Sequence, residues 1–467
     1  MMNNRPNREE MMAWVREFTK WPHRMTGTEE GKASASFVKE TFKSLGLEDV
    51  QIEEIPSVCR DTSICTLNIA DKAVDCLIAN GTNRVSEIGM QDSIVEDAEV
   101  IYLNRGSEED FENVDVTGKI VLCDVFFKEH TARNYMKFFD GAKAYDPEGK
   151  IDRELNIYNI FSANDWPWNY MRAKEKGAAG FVGILQNFMD CNYLHEDYTD
   201  IVDIDGYMSL PGLWVSKQDG EAIKADITAG ETLKGSMHVK TEYEEKRALN
   251  VMGKLKGMSD DVLLIHSHHD ATCRGGVQDA SGMSVVFSLA KYFASLPVEE
   301  RKTNMIFLST DSHYTDYEGH DGFIRNRKAD GTNIIMDFAI EHLGKEMEMD
   351  EDNQIILYDE SAVRNLYVYD DGSLPEIAYE LVEKYNLEKT MLLPVKHSAA
   401  GEYKSGDVNS DAYDFNANGI PVVSLIAAPM YIYHSSDDAD KVHQDSLEPV
   451  ANMFIELAGK VWENKAL

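Results

Sequence analysis

Long hydrophobic runs are missing from this chain of 467 residues. No stretch of about 18 consecutive apolar residues occurs, so the sequence predicts no membrane-spanning helix. The amino-terminal stretch MMNNRPNREEMMAWVREF also has neither an apolar core nor a small-residue cleavage site of the kind that a secretory signal carries. We therefore expect a cytoplasmic protein.

Cysteine and basic residues are both scarce. The six cysteines show no C-x-x-C spacing, which is typical of reduced thiols rather than of a disulfide framework or a structural zinc site. Acidic residues outnumber basic ones by 82 to 46, and the formal net charge of -36 would repel a phosphate backbone or an anionic membrane surface. The prediction therefore includes no nucleic acid and no membrane partner.

The composition is otherwise that of a globular protein, with 43% hydrophobic and 10% aromatic residues. A chain of this length is too long for a single hydrophobic core. Changes in sequence texture predict three segments: residues 1–91 and 247–467 as two parts of one α/β domain, and residues 92–246, rich in short β-like runs, as a domain inserted between them.

Apolar periodicity predicts alternating strands and helices in the last segment. The predicted strands are Val262 to Ile265, Met305 to Leu308, Ile334 to Ile340 and Pro421 to Ile426. The predicted helices are Gly282 to Phe293, Leu374 to Tyr385 and Glu448 to Trp462. Near the amino terminus, a helix over Met11 to Trp21, a second helix ending at Gly46 and a strand over Val50 to Ile55 begin the same α/β layer.

The most informative stretch begins at the first of those strands. An apolar run ends at Ile265 and is followed by His266, His268, His269 and Asp270. In an open parallel sheet, ligands gather at the carboxyl ends of the strands, so this loop is where a metal or catalytic site is expected. Solvated loop histidines remain the alternative explanation.

Four later segments carry similar polar groups near strand ends: FLSTDSHYTDYEG (307–319), IEHLG (340–344), SDAYDF (410–415) and YHSSDD (433–438). In this order and at these spacings the chain resembles the co-catalytic zinc aminopeptidases and glutamate carboxypeptidases. The resemblance implies a mixed, mostly parallel central sheet flanked by helices.

The inserted segment resembles a protease-associated domain, a small β-rich module. The resemblance rests on GKIVLCD, KEKGAAGFVGIL and LPGLWVSKQDGEAI, which occur in that order. An aromatic-rich insertion, roughly residues 126 to 168, departs from the family pattern. A lid, an oligomer contact and local packing are all open explanations for it.

The resemblance also implies roles for single residues. His268 takes the position of the first metal ligand, and Asp270 orients it. Glu341 takes the acidic ligand position after a strand, and His434 takes the last ligand position. His269, Asp411 and Asp438 are expected to support these groups, while Arg274 either binds a substrate carboxylate or forms a surface salt bridge.

Three positions depart from the family pattern. Gln278 stands where the bridging aspartate belongs, with Asp279 next to it. His313 and Tyr314 replace the pair of glutamates that supplies the general base and a ligand. A neutral amide is a poor bridge between two divalent ions, so we predict one metal ion, with zinc favoured and manganese or iron compatible, and Asp279 as a further candidate ligand.

The sequence thus predicts a metal-dependent hydrolase of an amide, peptide or related carbonyl bond in a small molecule or short peptide. An imidazole titrates near neutral pH, so His313 is the predicted base, and Tyr314 is predicted to donate to the developing oxyanion. Two alternatives stay open: a catalytically inactive binding protein, and a lyase, hydratase or ring-opening reaction on the same scaffold. A homodimer is compatible with the resemblance.

Overall fold

The protein was studied as a computed structural model that describes residues 4–79, 81–151, 156–163, 165–189, 206–399 and 403–463. The strands are β1 Glu48–Ile69, β2 Lys72–Val74, β3 Leu77–Ile78, β4 Gly89–Tyr102, β5 Ile120–Val125, β6 Phe127–Thr131, β7 Lys143–Tyr145, β8 Asn156–Ala163, β9 Gly180–Leu185, β10 Gly212–Val215, β11 Lys234–Leu255, β12 Val262–His268, β13 Asn304–Thr310, β14 Ile334–Ile340, β15 Lys345–Met349, β16 Ile355–Ser361, β17 Arg364–Tyr369, β18 Thr390–Val395 and β19 Val422–Ala427. The α-helices are α1 Arg8–Phe18, α2 Glu29–Ser44, α3 Ala132–Met136, α4 Trp168–Glu175, α5 Lys217–Thr228, α6 Gly282–Ala294, α7 Glu318–Asp330, α8 Leu374–Lys384, α9 Tyr413–Ala417 and α10 Gln444–Glu463.

The main sheet is mixed and mostly parallel, in the order β11-β13-β12-β14-β19-β17-β18-β7. Strands β13, β12, β14 and β19 run parallel to one another. Strand β17 is antiparallel to β19 but parallel to β18. This arrangement confirms the predicted fold class.

Helices cover both faces of the main sheet, as a parallel sheet requires. Every residue of β12 is buried. Successive side chains of this strand alternate between two hydrophobic cores, since Leu263 and Ile265 pack with α6 and α10 whereas Leu264 packs with α7 and α9. The apolar run at the start of β12 is therefore explained by burial on both sides.

A smaller sheet, in the order β3-β10-β9-β5-β4-β11, lies at the other end of the long strand β11. Strands β10, β9, β5 and β4 are parallel. Residues 234–243 of β11 pair with β4, whereas residues 251–255 pair with β13 in the main sheet. The predicted boundaries at residues 91/92 and 246/247 fall inside β4 and β11, and the protease-associated assignment stays a prediction.

One part of the aromatic insertion packs on the far edge of the main sheet, whereas Trp166 of the same insertion packs against Trp214 of the smaller sheet. Strand β7 pairs antiparallel with β18 and ends the sheet. The hydroxyl of Tyr135 lies 2.5 Å from that of Tyr367 in β17, and the ring of Phe139 lies 5.8 Å from the same tyrosine. These contacts favour local packing over a lid.

The length and hydropathy of the helices can be compared with what a membrane-spanning helix requires. Among the described residues, none of the helices combines the length and the apolar character needed to cross a lipid bilayer.

Candidate active site

The polar residues of the motifs meet at the carboxyl ends of three neighbouring parallel strands. Strand β12 ends at His268, β13 ends at Thr310 just before residues 311–314, and β14 ends at Ile340 just before Glu341. Because these strands are parallel and adjacent, the chain brings residues that are far apart in sequence to one edge of the sheet.

His268 presents one ring nitrogen to this edge. Its Nδ1 lies 3.0 Å from the carbonyl oxygen of Asp270 and 3.2 Å from the Oδ1 of that residue. The buried Nε2 makes no hydrogen bond to any described residue. Burial, followed by the charge of His313, lowers the pKa of His268, so its ring is neutral and Nε2 carries a free lone pair.

His313 is held by two carboxylates. Its backbone N–H donates to Oδ2 of Asp270 at 2.8 Å, and its Nδ1 lies 3.0 Å from Oδ1 of Asp411. Its ring stacks on that of His268, with centroids 4.3 Å apart and planes 14° apart. Among the described residues, His268, His313 and Asp411 bring one potential ligand atom each to within 4.8 Å of one another and form a group that could hold a metal ion.

The ionised state of Asp411 depends on the imidazoles around it. Burial raises the pKa of this carboxyl, but the charge of His313, its hydrogen bond and the charge of His320 together hold the pKa well below the ordinary value. Oδ2 of Asp411 lies 3.8 Å from Nε2 of His320. Asp411 is therefore a carboxylate, and the sequence analysis gave it only a supporting role.

Glu341 lies beside Asp411. Its Oε1 accepts the backbone N–H of Asp411 at 3.1 Å, whereas its buried Oε2 makes no hydrogen bond within the described part of the chain. Burial, then the charges of Asp411 and Asp279, raise the pKa of Glu341 well above its ordinary value. Two buried carboxyl groups this close repel each other unless a proton or a cation lies between them.

Glu341 lies outside the group of His268, His313 and Asp411, but it has a buried acceptor of the same kind as His268 and Asp411. His268 Nε2, Glu341 Oε2 and Asp411 Oδ2 are all buried acceptors without a hydrogen bond from a described residue, and buried polar atoms are rarely left in that state. One neutral imidazole and two carboxylates are a donor set suited to zinc, and their two negative charges balance a divalent ion.

Asp279, a predicted ligand, is engaged elsewhere in the structure. Its Oδ1 accepts the backbone N–H groups of Gly282 and His342, each at 3.0 Å, and its Oδ2 accepts the hydroxyl of Ser267. Burial raises the pKa of Asp279 well above the ordinary value. The residue joins three segments of the site rather than facing the group of His268, His313 and Asp411.

Gln278 lies beside His313. Its Nε2 lies 3.4 Å from Nε2 of His313, and its backbone N–H donates to Asp437 at 2.9 Å. The buried Oε1 makes no hydrogen bond to a described residue. Tyr317, which the sequence analysis did not single out, places its hydroxyl 3.5 Å from the same nitrogen of His313.

His434 and Tyr314 lie outside the group of His268, His313 and Asp411. Nδ1 of His434 is 2.7 Å from the hydroxyl of Ser436, and burial, then Lys441, lowers the pKa of His434 to about 4. Within the described residues, His434 does not join the group of possible metal ligands. The ring of Tyr314 lies 4.9 Å from that of His313 and 6.4 Å from that of His268.

The remaining predicted residues have structural contacts. Nδ1 of His269 lies 2.8 Å from the hydroxyl of Ser309. Arg274 forms an exposed salt bridge with Asp438 at 2.9 Å, which is the surface alternative considered for Arg274.

The sequence analysis missed Arg24, a fully buried arginine from the amino-terminal segment. Its guanidinium donates to the carbonyl oxygens of His269 at 2.7 Å, Gly275 at 3.1 Å and Gln278 at 3.5 Å, and also to that of Arg274. Arg24 therefore fixes the loop that follows β12. The segment HRMTG carried no signal of this role, because backbone carbonyls are acceptors that every residue supplies.

Residues 250–458 match the model of a family described as Peptidase family M28. A curated relative, described as a glutamate carboxypeptidase 2 homolog from Caenorhabditis briggsae, is 23% identical over 344 residues. The match covers 61% of this chain but 44% of the relative, so the chain spans less than half the length of that protein.

Solved structures of similar fold include one that is described as a zinc aminopeptidase. A peptidase M28 precursor from Shewanella amazonensis has a TM-score of 0.66 at 17% identity, with 98% of this chain and 94% of that chain covered. BSAP, a zinc aminopeptidase from Bacillus subtilis, has a TM-score of 0.65 at 15% identity, with coverages of 97% and 95%. An aminopeptidase from Aneurinibacillus sp. has a TM-score of 0.58 at 19% identity, with coverages of 98% and 94%. At these identities the likeness shows the fold.

Proposed function

This chain fits the zinc exopeptidase-like family, in keeping with its match to peptidase family M28. On that premise, we propose that it hydrolyses an amide or peptide bond at one divalent metal ion. The observation that supports this most directly is the group formed by His268, His313 and Asp411, whose possible ligand atoms lie within 4.8 Å of one another, with the buried carboxyl group of Glu341 beside Asp411. Zinc is the favoured ion, because the donor set mixes one imidazole with carboxylates.

The proposed ligands are His268 through Nε2, Glu341 and Asp411. A divalent ion bound there supplies a Lewis acid that polarises the scissile carbonyl and lowers the pKa of water. The hydrogen bonds from His268 Nδ1 to Asp270 fix the tautomer and orientation of the His268 ring. The ligand set differs from the one that the family pattern implies, since Asp411 takes the place expected for His434.

His313 is the proposed general base. If Nδ1 carries the proton and donates it to Asp411, then Nε2 is the acceptor and takes a proton from the attacking water. The same proton then passes from Nε2 to the nitrogen of the leaving amine when the carbon–nitrogen bond breaks. The amide of Gln278 and the hydroxyl of Tyr317 lie close enough to Nε2 to hold the ring in position.

Tyr314 is the proposed donor to the oxyanion that develops on the carbonyl oxygen. Its side chain is 8% exposed and His313 is 9% exposed, so the reacting groups lie below the surface. A shielded site of this kind suits a small molecule or a short peptide better than a folded protein.

A catalytically inactive peptide-binding protein is the second candidate. Gln278 and Tyr314 favour it, because neither residue type supplies the charge found at these positions in the family pattern. A binding protein would keep the fold and the ordered loop after β12 without needing His313 in a defined tautomer.

Metal content per chain tests the proposal. The intact protein, purified without chelators or an affinity metal, is expected to contain about one equivalent of metal by elemental mass spectrometry. His268→Ala is expected to lose the metal, whereas His313→Gln is expected to keep it and to lose turnover of aminoacyl anilides. His443→Gln, which changes a histidine elsewhere in the chain, serves as the matched control.

Two results would contradict the proposal. Turnover unchanged in His313→Gln would remove this residue from the mechanism. Absence of metal, with none gained on adding zinc or manganese, would favour the binding protein.

A further inference from the structure

Two cysteines lie together at the base of the smaller sheet, far from the residues of the candidate active site. Cys65 is in β1, and Cys76 immediately precedes β3. Both side chains are partly exposed and pack at the border of the core between the strands of this sheet. Both are free thiols in the structure.

The pairing of β1 with β2 stops two positions short of the two cysteines, and its register, if continued, would set them opposite each other. Strands β1 and β2 form an antiparallel hairpin in which Leu67 faces Val74 and Ile69 faces Lys72. In an antiparallel pair, a step back along one strand corresponds to a step forward along the other. Two steps beyond the pair of Leu67 and Val74, Cys65 would therefore face Cys76. Directly opposite positions have Cα atoms about 4.5 to 5.5 Å apart, which is within the range that a disulfide spans.

The side chains confirm the close approach. Sγ of Cys65 donates to the carbonyl oxygen of Cys76 at 3.5 Å. Interaction with the neighbouring Cys76 thiol, acting against burial, lowers the pKa of Cys65 to about 7, while the pKa of Cys76 is raised. A thiol of that kind is partly ionised at neutral pH and is a nucleophile.

The other described cysteines differ from this pair in burial and in the direction in which their thiol pKa departs from that of Cys65. Cys59, Cys123 and Cys273 are buried. Burial raises the pKa of each thiol, to about 11 for Cys59 and about 12 for Cys273. They therefore offer a comparison within the same chain.

We propose that Cys65 and Cys76 are a thiol-modification site that reacts with a low-molecular-weight disulfide of the glutathione type. The Cys65 thiolate attacks one sulfur of that disulfide, forms a mixed disulfide and releases one small thiolate. The Cys76 thiol then loses its proton and attacks Sγ of Cys65, which releases the second small thiolate. Two protein thiols are oxidised to one disulfide, one small disulfide is reduced to two thiols, and the two protons end on the released thiolates.

The bond would tie β1 to the segment that leads into β3. Cys76 leads into β3, and β3 pairs with β10 through Leu77 and Ile78 at the edge of the smaller sheet. A disulfide to β1 would hold this edge strand in place. The effect is independent of the proposed hydrolase activity, because the two thiols lie in the smaller sheet and the reacting groups lie in the main sheet.

The test uses the full chain carrying Cys191→Ser, because Cys191 lies outside the described residues. The folded protein is incubated with oxidised glutathione, and its peptides are mapped by mass spectrometry without reduction. The expected product is a peptide pair linked through Cys65 and Cys76, lighter than the reduced pair by two hydrogens. Cys59, Cys123 and Cys273 are expected to stay reduced until the chain is unfolded.

Two single variants test the order of the steps. Cys76→Ser is expected to stop at a stable glutathione adduct on Cys65. Cys65→Ser is expected to react at Cys76 more slowly, since burial and the charge of Asp75 still raise the pKa of that thiol once Cys65 is gone. Failure to form the linked pair, or equal rates for the two variants, would overturn the proposal. Circular dichroism of both variants shows whether either one has lost its fold.

Discussion

Nδ1 of His313 lies 3.0 Å from Oδ1 of Asp411, although the two residues are almost a hundred positions apart in the chain. The contact joins the loop after β13 to the segment just before α9, so the proposed base and its orienting carboxylate belong to different parts of the fold. An imidazole oriented in this way has one defined acceptor nitrogen, which is what a general base needs.

Asp411→Asn is expected to lower kcat/KM by about 100-fold or more, because an amide neither fixes the His313 tautomer nor offers a charged ligand. Bound metal is expected to fall in the same variant. Steady-state kinetics and elemental mass spectrometry measure the two effects. The matched control is Asp414→Asn, since Asp414 contacts His320 rather than His313. Equal losses in both variants would show that Asp411 has no special role.

Glu341→Gln is expected to remove metal binding and yet to stabilise the metal-free protein by roughly 1 to 3 kcal/mol. Glu341 is buried beside Asp411, and its raised pKa means that its charge is unfavourable without a cation. Urea unfolding of both proteins, with and without zinc, measures the difference. Zinc should raise the free energy of unfolding of the wild type only. A less stable metal-free variant would contradict the assignment of Glu341 as a ligand.

Arg24→Met is expected to cost about 3 kcal/mol of stability, because it leaves buried carbonyl oxygens of the loop after β12 without donors. Arg24→Lys should recover part of that loss, since an ammonium group donates to fewer carbonyls at once. Denaturant unfolding gives the free energies, and amide hydrogen exchange shows whether residues 269–278 become less protected.

The control for this prediction is Arg274→Met. Its side chain is 57% exposed and its partner is the surface carboxylate of Asp438, so the expected loss is below about 1 kcal/mol. If the two variants were equally stable, the carbonyl contacts of Arg24 would contribute nothing measurable.

His443 is expected to make stability depend on pH. Burial, then the charge of Arg364, lowers the pKa of His443 from 6.5 to about 4 in the folded state. Between these values the unfolded chain binds a proton that the folded chain does not, so this contribution is complete above pH 6.5 and is lost as the pH falls towards 4. Because the side chain is partly exposed, we expect an effect of roughly 1 kcal/mol.

The measurement compares the wild type with His443→Gln by denaturant unfolding at several pH values between 4 and 7. The variant should lose less stability on acidification than the wild type does. Parallel curves for the two proteins would show that His443 is not responsible.

The sequence predicts the main sheet well where burial dictates the pattern. Strand β14 has the predicted bounds, and β12 contains its predicted apolar run, because a strand covered on both faces needs a continuous hydrophobic stretch. Strand β11 was not predicted. It passes from one sheet into another, so its pattern changes along its length and no single period describes it.

The sequence predicts where the polar residues of the candidate site gather, but it does not predict how they pair. A run of histidines after a buried strand points to the edge of the sheet where His268, His313 and Glu341 all lie. That Asp411 touches His313, and that Asp279 is engaged by backbone N–H groups, depends on how distant loops fold together. Such contacts leave no local pattern in the sequence.

Strand β7 has a consequence for the behaviour of the protein in solution. It pairs with Thr390 to Leu392 of β18, whose backbone N–H and C=O groups would otherwise end the sheet as an open template for other chains. A protein shortened by removal of the aromatic insertion would therefore expose a row of unpaired backbone N–H and C=O groups along an apolar strand. Aggregation during expression, rather than a change in substrate preference, is the first outcome to expect from that deletion.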